Sequence, residues 1–401
     1  MSFDIALSGI QAINEQLETV SHNIANAATY GFKAGRANFS SVMAGTRSNG
    51  VEIGSVTQNI SQNGATTTTG RALDASIDGK GFFVSRDPQG GMTYSRVGIF
   101  STDTKGNLVD SNGKMVQGYG PSVSGALGPM GDIKVPTGQI PAVATTGIAY
   151  VGNMSADWAD RPAASFNATD AGTYNMVKQS IVYDSLGTQH TLSQYFARQD
   201  ADTVNVYYSL DGAAPAGAPA VLKFDQSGQL VADANGTPTV TGNTIAIAAQ
   251  NGAAAGSVTI DYTGTTRFAG DATTTTNRSD GYASGAFVGV QMAADGSLVA
   301  KYSNDQSQVV GTIAIANFAN EDGLQAISDT SWQANASSGT ALYNVPGVGL
   351  AGKLNTGALE GSNVDITSEL VGLMTSQRNY QANSKVLTTE SAMMQALMQA
   401  L

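Results

Sequence analysis

The sequence has 401 residues, of which 41% are hydrophobic and 13% charged, and its formal net charge is −11 at pH 7. This length is enough for two or three domains of roughly 100–200 residues each, and the acidic balance argues against nucleic-acid binding, which needs a basic face. Because the chain contains no cysteine, disulfides, thiolate metal sites and cysteine nucleophiles are excluded.

The first predicted element is an N-terminal helix. Its apolar side chains follow one another at alternating steps of three and four residues, at Phe3, Ala6, Ile10, Ile13, Leu17, Val20 and Ile24. This heptad pattern predicts an amphipathic helix with one apolar seam of the coiled-coil type. No lysine or arginine precedes Lys33, so no secretory leader is expected in this segment.

The stretch SHNIANAATYGFKAG, residues 21–35, predicts where this helix ends. Its small residues give way to Gly31, Phe32 and Lys33, and glycine readily adopts the left-handed conformation that often terminates a helix. We expect the helix to end near Ala28, and Phe32 to anchor the turn into a connecting segment. His22 lies off the seam and is expected to face solvent or a neighbouring molecule. The stretch is therefore predicted to be a junction, not a catalytic site.

The middle of the chain is predicted to be β. An Asp-x-x-Gly unit recurs at residues 103–106, 184–187 and 225–228, with a close variant at 293–296. Aspartate at the first position and glycine at the fourth are typical of a type I turn with a left-handed exit. The flanking segments are rich in β-branched and aromatic residues, so antiparallel sandwich or barrel-like domains are expected.

These aspartate-rich and glycine-rich loops do not predict a bound ligand. None has the spacing of an EF-hand calcium loop, and no phosphate-binding loop sequence occurs. The segment DGKGFF, residues 78–83, lacks a following helix that could bind a phosphate. No metal and no cofactor are expected.

The C-terminal segment is predicted to be a second, longer helix with the same alternation. Asp365 is its expected N-cap, and Glu369 in the first turn suits the helix dipole. Its seam consists of Ile366, Leu370, Leu373, Gln377, Tyr380, Ser384, Leu387, Ser391, Met394, Met398 and Leu401. Three polar members, seven residues apart, are candidates to face a wet lumen.

Two interpretations of the terminal seams stand side by side. In one, both helices pack on a globular core of their own chain. In the other, the two termini are disordered or loose in the single chain and become ordered by neighbouring copies. The two seams could pair with each other only if the middle of the chain closes on itself, and such a pair would still leave apolar surface uncovered. The seam continues to Leu401, which favours the second interpretation.

The predicted fold class is mainly β with terminal α-helices. Residues 1–30 and 362–401 are assigned to a coiled-coil-like inner domain, and residues 31–69 to a connecting segment. Two nested β domains follow from a shift in composition: an inner one, 70–148 and 281–361, and an inserted outer one, 149–280, which is richer in Ala, Gly and Thr.

Three segments resemble the flagellar rod–hook axial protein family: NIANAATYGFKAG (23–35), TTTTGRALDASIDGKGFFVS (66–85) and SNVDITSELVGLMTSQRNYQANSKVLTT (362–389). The first and last lie at the chain ends, as that family requires. The length of the chain, its inserted segment and GTIAIANFANEDGLQAISDTSW (311–332) are most similar to the hook branch of the family.

This resemblance implies a structural subunit that polymerises helically into a curved hollow tube, a flexible joint that transmits torque outside the cell. The terminal helices would form the inner tube, and export would use the type III apparatus. The implied partners are further copies of the chain, the export apparatus, a hook cap, the distal rod and hook–filament junction proteins. Neither nucleic acid nor membrane insertion is expected.

Other functions are weighed against this one. A distal rod protein of the same family is the nearest alternative, followed by a surface adhesin-type β protein. An enzyme is disfavoured because His22 and His190 are the only histidines and no G-x-S-x-G nucleophile motif occurs. No stretch approaches ~18 consecutive apolar residues, so a membrane-spanning helix is not expected either.

Overall fold

A helix at each end of a mainly β chain is the observed architecture, which confirms the predicted fold class. The computed structural model describes residues 2–44, 47–122, 126–162, 166–215, 217–233 and 238–400. Helix α1 spans Ser2–Ala25 and helix α2 spans Ile366–Ala400. The expected end of α1 near Ala28 was three residues too late, because the N–H groups of Ala27 and Thr29 bond carbonyls only three residues back.

The first strands follow α1 directly. Strands β1 and β2 form a long antiparallel hairpin with two register shifts. In chain order the strands before the insertion are β1 Gly35–Ala44, β2 Arg47–Gln58, β3 Thr66–Thr68, β4 Ala75–Asp78, β5 Phe82–Arg86, β6 Met92–Ser95, β7 Phe100–Thr102, β8 Leu108–Asp110, β9 Met115–Tyr119 and β10 Met130–Asp132.

The inserted segment builds two sheets, with the orders β16-β17-β11-β18 and β12-β13-β14-β15. All of its pairs are antiparallel except β11 with β17, which is parallel. Its strands are β11 Gly147–Asn153, β12 Met176–Tyr183, β13 Gln189–Arg198, β14 Thr203–Leu210, β15 Ala220–Lys223, β16 Thr244–Ile247, β17 Gly256–Asp261 and β18 Thr273–Ser279. Tyr150 and Tyr262 from one sheet pack with Phe196 from the other, as in a β-sandwich.

The remaining strands return to the sheet begun by β5, β6 and β9, whose path runs β19-β20-β21-β9-β5-β6-β24-β23. They are β19 Phe287–Met292, β20 Ser297–Tyr302, β21 Ser307–Ile313, β22 Ile315–Asn317, β23 Gln325–Ile327, β24 Ser331–Gln333, β25 Leu342–Asn344, β26 Lys353–Thr356 and β27 Ala358–Glu360. An aromatic cluster of Phe82, Tyr94, Phe318 and Trp332 fills their core.

The described residues form two compact units. One comprises Met1–Thr137, Val288–Lys301 and Ser307–Leu401, and the other Gly138–Phe287 and Tyr302–Gln306. The finer division into a helical domain, a connecting segment and two β domains stays a prediction. Within the described ranges, no helix is long and apolar enough to cross a membrane.

The Asp-x-x-Gly segments are turns. In each, the glycine N–H donates to the carbonyl three residues earlier, and the glycine φ lies between 73° and 83°. The Asp103 carboxylate shows why aspartate comes first, since it accepts the N–H groups of Lys105 and Asn107 at 2.8 and 2.7 Å. The same arrangement recurs at 110–113, where the sequence reads DSNG.

One titratable cluster stands out in the inserted unit. The His190 imidazole has Nδ1 at 2.6 Å from Asp211 Oδ2 and Nε2 at 3.6 Å from Asp184 Oδ2. The hydrogen bond to Asp211 is the main reason that the pKa of His190 is raised, although partial burial opposes it. The pKa values of the two carboxylates are lowered, and both groups favour the protonated form of the imidazole between them.

Because of this cluster, the stability of the inserted unit should depend on pH. A raised histidine pKa stabilises the fold fully below the unfolded pKa of about 6.5, and this contribution is lost as pH rises through the folded value. The thermal unfolding midpoint of the unit should therefore decrease as the pH rises from about 6.5 through the raised pKa of the folded histidine. His190→Gln should flatten the profile in that range, and identical profiles for the two proteins would contradict the prediction.

Candidate functional site

Helices α1 and α2 pack against each other in antiparallel fashion. The Asn23 amide donates to Glu369 Oε1 at 2.9 Å near one end of the pair. Further along, Gly372 faces Val20, and Gly9 faces Asn383 so closely that a Cβ on Gly9 would stand 2.9 Å from the Asn383 Nδ2. From one of these contacts to the next, the same number of residues is passed on each helix. Continued to the start of α1, this register places Ser2 beside Glu390.

The surface between the helices is made largely of small and polar residues. Ala6, Gly9 and Ala12 are buried on α1, and Ser376 is buried on α2. Small side chains allow the two backbones to approach closely. Much of the apolar seam of α2 therefore remains outside this contact.

The structure distributes the predicted seam residues unevenly. On α1, Ile13 and Val20 are buried, Ile10, Leu17 and Ile24 are half-buried, and Phe3 is exposed. On α2, Leu373 and Leu387 are half-buried, and the exposed members are Ile366, Leu370, Tyr380, Met394 and Met398. Leu401 lies outside the described residues. The helix pair therefore brings together the α1 seam and only part of the α2 seam.

Several exposed apolar residues were missed because they lie beside the heptad positions. We call the exposed apolar residues of α2 together the α2 stripe: Ile366, Leu370, Val371, Met374, Tyr380, Val386, Met393, Met394, Leu397 and Met398. The sequence signal for a wider stripe was the occurrence of adjacent apolar pairs such as Leu370–Val371 and Leu397–Met398.

The hairpin of β1 and β2 covers another side of α1. The Ser8 hydroxyl accepts the Val51 N–H at 3.2 Å, and Gly50 passes so close that a Cβ there would stand 2.1 Å from the Ser8 oxygen. Asn23 exchanges two 2.8 Å hydrogen bonds with the backbone of Gly35 at the start of β1. The connecting segment is thereby fixed to the N-terminal helix.

The predicted junction residues lie where the two chain ends meet. Gly31 has φ of 69°, and its N–H donates to the Glu360 carbonyl at 2.8 Å. Phe32 is buried, with its ring edge-on to His22 at 5.4 Å. Asn363, just before α2, accepts the Ala34 N–H at 2.7 Å through its side chain. The N-terminal junction is thus bonded directly to the segment that leads into the C-terminal helix.

A buried ionic cluster of Lys33, Arg96 and Glu360 stands beneath this junction. Lys33 Nζ lies 2.7 Å from Glu360 Oε1, and Arg96 Nη1 lies 3.3 Å from Glu360 Oε2. The three side chains are 0%, 1% and 2% exposed. Burial lowers the pKa of Lys33 and of Arg96, and the charge of Glu360 opposes that shift in both.

Backbone groups complete the cluster. Lys33 also donates to the Gln62 carbonyl at 2.6 Å, and Glu360 accepts the Gly64 N–H at 3.0 Å. Arg96 donates to two further carbonyls, those of Ile77 and Gly79, and stacks over the Phe82 ring at 5.5 Å. Sequence reasoning placed Lys33 at the junction but missed Arg96 and Glu360. Their local sequences, YSRVG and ALEGS, carry no signal of a buried charge.

The α2 helix begins as the sequence predicted. The Asp365 carboxylate accepts the N–H groups of Thr367 and Ser368, at 2.9 and 3.4 Å, and these bonds lower its pKa. Among the residues that the structure describes, no group of three His, Asp or Glu side chains is placed to hold a metal ion. The arrangement offers apolar surface and a rigid ionic junction.

A chain whose two ends pair around a β body, and whose helices keep an apolar stripe in water, belongs to the class of structural assembly proteins. Three family models match. They are the flagellar basal body protein FlaE D2 domain at residues 153–282, the flagellar hook protein FlgE/F/G D1 domain at 76–156 and the flagellar basal body rod FlgEFG protein C-terminal at 355–400.

Relatives that align with nearly the whole chain show which family of structural proteins it belongs to. The chain is 37% identical to the flagellar hook protein FlgE of Salmonella typhimurium and 36% identical to that of Escherichia coli, in each case over 99% of both chains. Identity to the Rhizobium meliloti protein of the same name is 32%, over 98% of this chain and 96% of the relative. The chain belongs to the flagellar hook protein family.

A solved structure supports the fold. The crystal structure of Helicobacter pylori flagellar hook protein FlgE2 superposes with a TM-score of 0.53 and covers 72% of this chain and 99% of its own, at 12% identity.

Neutralising the Glu360 carboxylate should cause a large loss of stability, because it is the anion of a buried ionic cluster. Glu360→Gln leaves two buried cations uncompensated and replaces one acceptor oxygen by an NH2 group that can only donate. The free energy of unfolding should fall by about 3–5 kcal/mol, as for other broken buried pairs. Glu52→Gln, at an exposed glutamate on β2, is the control and should change it by less than about 0.5 kcal/mol. Equal denaturation midpoints for both variants would refute a structural role.

Replacing Gly31 by alanine should also destabilise the fold. A Cβ there would lie 2.9 Å from Val97 Cγ2 and 3.0 Å from the Val97 N, in addition to the strain of its positive φ. Gly113 also has a positive φ, 79°, but no described atom lies within 4 Å of the point where its Cβ would stand, so Gly113→Ala measures the backbone strain alone. In urea denaturation, Gly31→Ala should lose clearly more than the ~1 kcal/mol expected for Gly113→Ala. Equal losses would show that the junction is not tightly packed.

Proposed function

We propose that this chain polymerises through the α2 stripe and the exposed start of α1, as the subunit of the flagellar hook. One observation carries the proposal: the fold leaves uncovered, along one long helix, apolar side chains that in most proteins are buried. Covering a single Leu or Met side chain stabilises an interface by about 1.5–3 kcal/mol. Other copies of the same chain are the occupants that a homopolymer supplies.

The residues of the predicted assembly seam divide by their exposure in the single chain. Phe3, Leu370, Tyr380, Met394 and Met398 are available to neighbouring copies, because they are exposed in the single chain. Ile13 and Val20 serve instead to hold α1 in the pair. A tube requires a head-to-tail interface, since a two-fold symmetric contact would close after two copies.

The proposed organisation assigns residues 1–30 and 362–401 to the wall of the inner tube. Residues 31–69 connect this wall to the β domains, 70–148 with 281–361 and 149–280. The buried ionic cluster supports this assignment, since it fixes both chain ends to one another at the point where helices give way to strands. Force applied to the β body would pass through this junction to the helices.

The composition suits a bendable joint. With a charged fraction of 13% and abundant Gly, Ser, Thr and Asn, the surface offers few strong ion pairs and many interchangeable polar contacts. Contacts of this kind can be exchanged at small energetic cost as the distance between neighbouring copies changes. We propose that this is how the polymer bends while it transmits torque.

The proposed partners are the type III export apparatus, a hook cap, the distal rod and hook–filament junction proteins, and the proposed location is the hook, outside the cell. Neither nucleic acid nor membrane insertion is part of the proposal. A distal rod or adhesin-type role is not favoured, because full-length similarity is to hook proteins. Enzymatic activity is not part of the proposal either.

The test uses charge placed on the α2 stripe. Leu370→Asp should leave the monomer folded, since the position is exposed and an acidic residue near a helix N-terminus is favourable. The variant should not polymerise under salting-out conditions that convert the unaltered chain into curved tubes, as judged by electron microscopy. Straight polymers from the unaltered chain would favour a rod-type subunit.

The matched control is Asn379→Asp, which adds the same charge at an exposed polar position of α2. It should polymerise normally. Tubes formed by Leu370→Asp at the concentration that suffices for the control would contradict the proposed interface.

A further inference from the structure

The last turns of α2 project beyond the helix pair. Because Ser2 comes level with Glu390, residues 391–400 have no described part of α1 beside them. Glu390 is half-buried, whereas every residue from 391 to 399 is exposed. This projecting segment, SAMMQALMQA, carries no charged residue.

Three of its side chains are methionines. Met393, Met394 and Met398 are 56%, 67% and 75% exposed, whereas Met154 and Met292 in the β units are 0% and 5% exposed. Since the chain has no cysteine, thioethers are its only oxidisable sulfur groups. The projecting segment therefore gathers three of the most accessible described thioethers within two turns of helix.

We infer that Met393, Met394 and Met398 form an oxidation-sensitive modification site, at which conversion to methionine sulfoxide blocks addition of the subunit to a polymer. The inference rests on the proposed function, because it requires that the projecting segment be covered by neighbouring copies. It adds to the proposed function that oxidation regulates the addition of subunits to the polymer.

The chemistry needs only a peroxide. A thioether sulfur attacks one oxygen of hydrogen peroxide, the O–O bond breaks and an S–O bond forms. The sulfur loses two electrons, and the peroxide is reduced to water. The side chain changes from flexible and apolar to polar, with a strong acceptor oxygen.

The effect of oxidation depends on whether the projecting segment is exposed to water or covered by neighbouring copies. In the single chain the sulfoxide oxygens are hydrated, so oxidation leaves the fold intact. In the polymer they would be buried against apolar neighbours, and burying a polar group without a hydrogen-bond partner is costly. The modification should therefore act on assembly and spare the folding of the subunit.

Assembly should also protect the three methionines from oxidation. Once neighbouring copies cover the segment, peroxide should reach the three sulfur atoms more slowly. Oxidation would thus stop free subunits from joining while leaving completed polymer unmodified at this site.

The experiment compares the unaltered chain with Met393→Leu/Met394→Leu/Met398→Leu, after hydrogen peroxide treatment and sulfoxide mapping by mass spectrometry. Leucine matches methionine in volume and helix propensity and cannot be oxidised. The critical concentration for polymerisation should rise about tenfold or more for the oxidised unaltered chain. That of the oxidised triple-leucine variant should stay at the untreated value.

An exposed methionine outside the α2 stripe provides the control. Met43 on β1 is 56% exposed, so Met43→Leu should remain as sensitive to peroxide as the unaltered chain. Reduction of the oxidised chain by methionine sulfoxide reductases, with dithiothreitol as the electron donor, should restore polymerisation.

Two results would overturn the inference. One is normal polymerisation of the unaltered chain with sulfoxide confirmed at all three positions, and the other is equal loss of polymerisation by the oxidised triple-leucine variant. Failure of the proposed function is a separate result: untreated chain would form no polymer, or Leu370→Asp would polymerise as well as its control.

Discussion

The structure depends on one buried ionic contact between the two ends of the chain. Lys33 and Glu360 are separated by 327 residues in sequence and by 2.7 Å in space, and Arg96 shares the same carboxylate. Removing these charges from water is costly, and the cost is offset only when all three side chains and their backbone partners are in place. The cluster therefore forms only in the folded state, in which the C-terminal part of the chain lies beside the N-terminal junction.

The helix pair follows from this closure. Asn23, at the end of α1, and Asn363, just before α2, bond the backbone at Gly35 and Ala34 respectively, so both helices leave the junction in fixed directions. Small residues between α1 and α2 then bring the helices close while much of the apolar surface of α2 stays uncovered. That surface is left for contacts outside the chain, as a subunit of a polymer requires.

Local physical rules made much of the fold predictable. The Asp-x-x-Gly turns, the Asp365 cap and both helices followed from side chains acting on their own backbone within a few residues, and these interactions are the same in any tertiary context. The end of α1 was misplaced by three residues because the Asn26 amide competes for the His22 carbonyl and the backbone tightens there. A heptad count cannot detect such competition.

The sequence by itself determined that two helices flank a β body, that the ends carry more apolar surface than a single pair can cover, and which family the chain resembles. Only the tertiary structure decided which α2 residues face α1, since apolar residues occur around much of that helix and more than one face could meet a partner. It also decided that Lys33 and Arg96 share the Glu360 carboxylate. Residues hundreds of positions apart meet through the path of the whole chain, and no local pattern records that path.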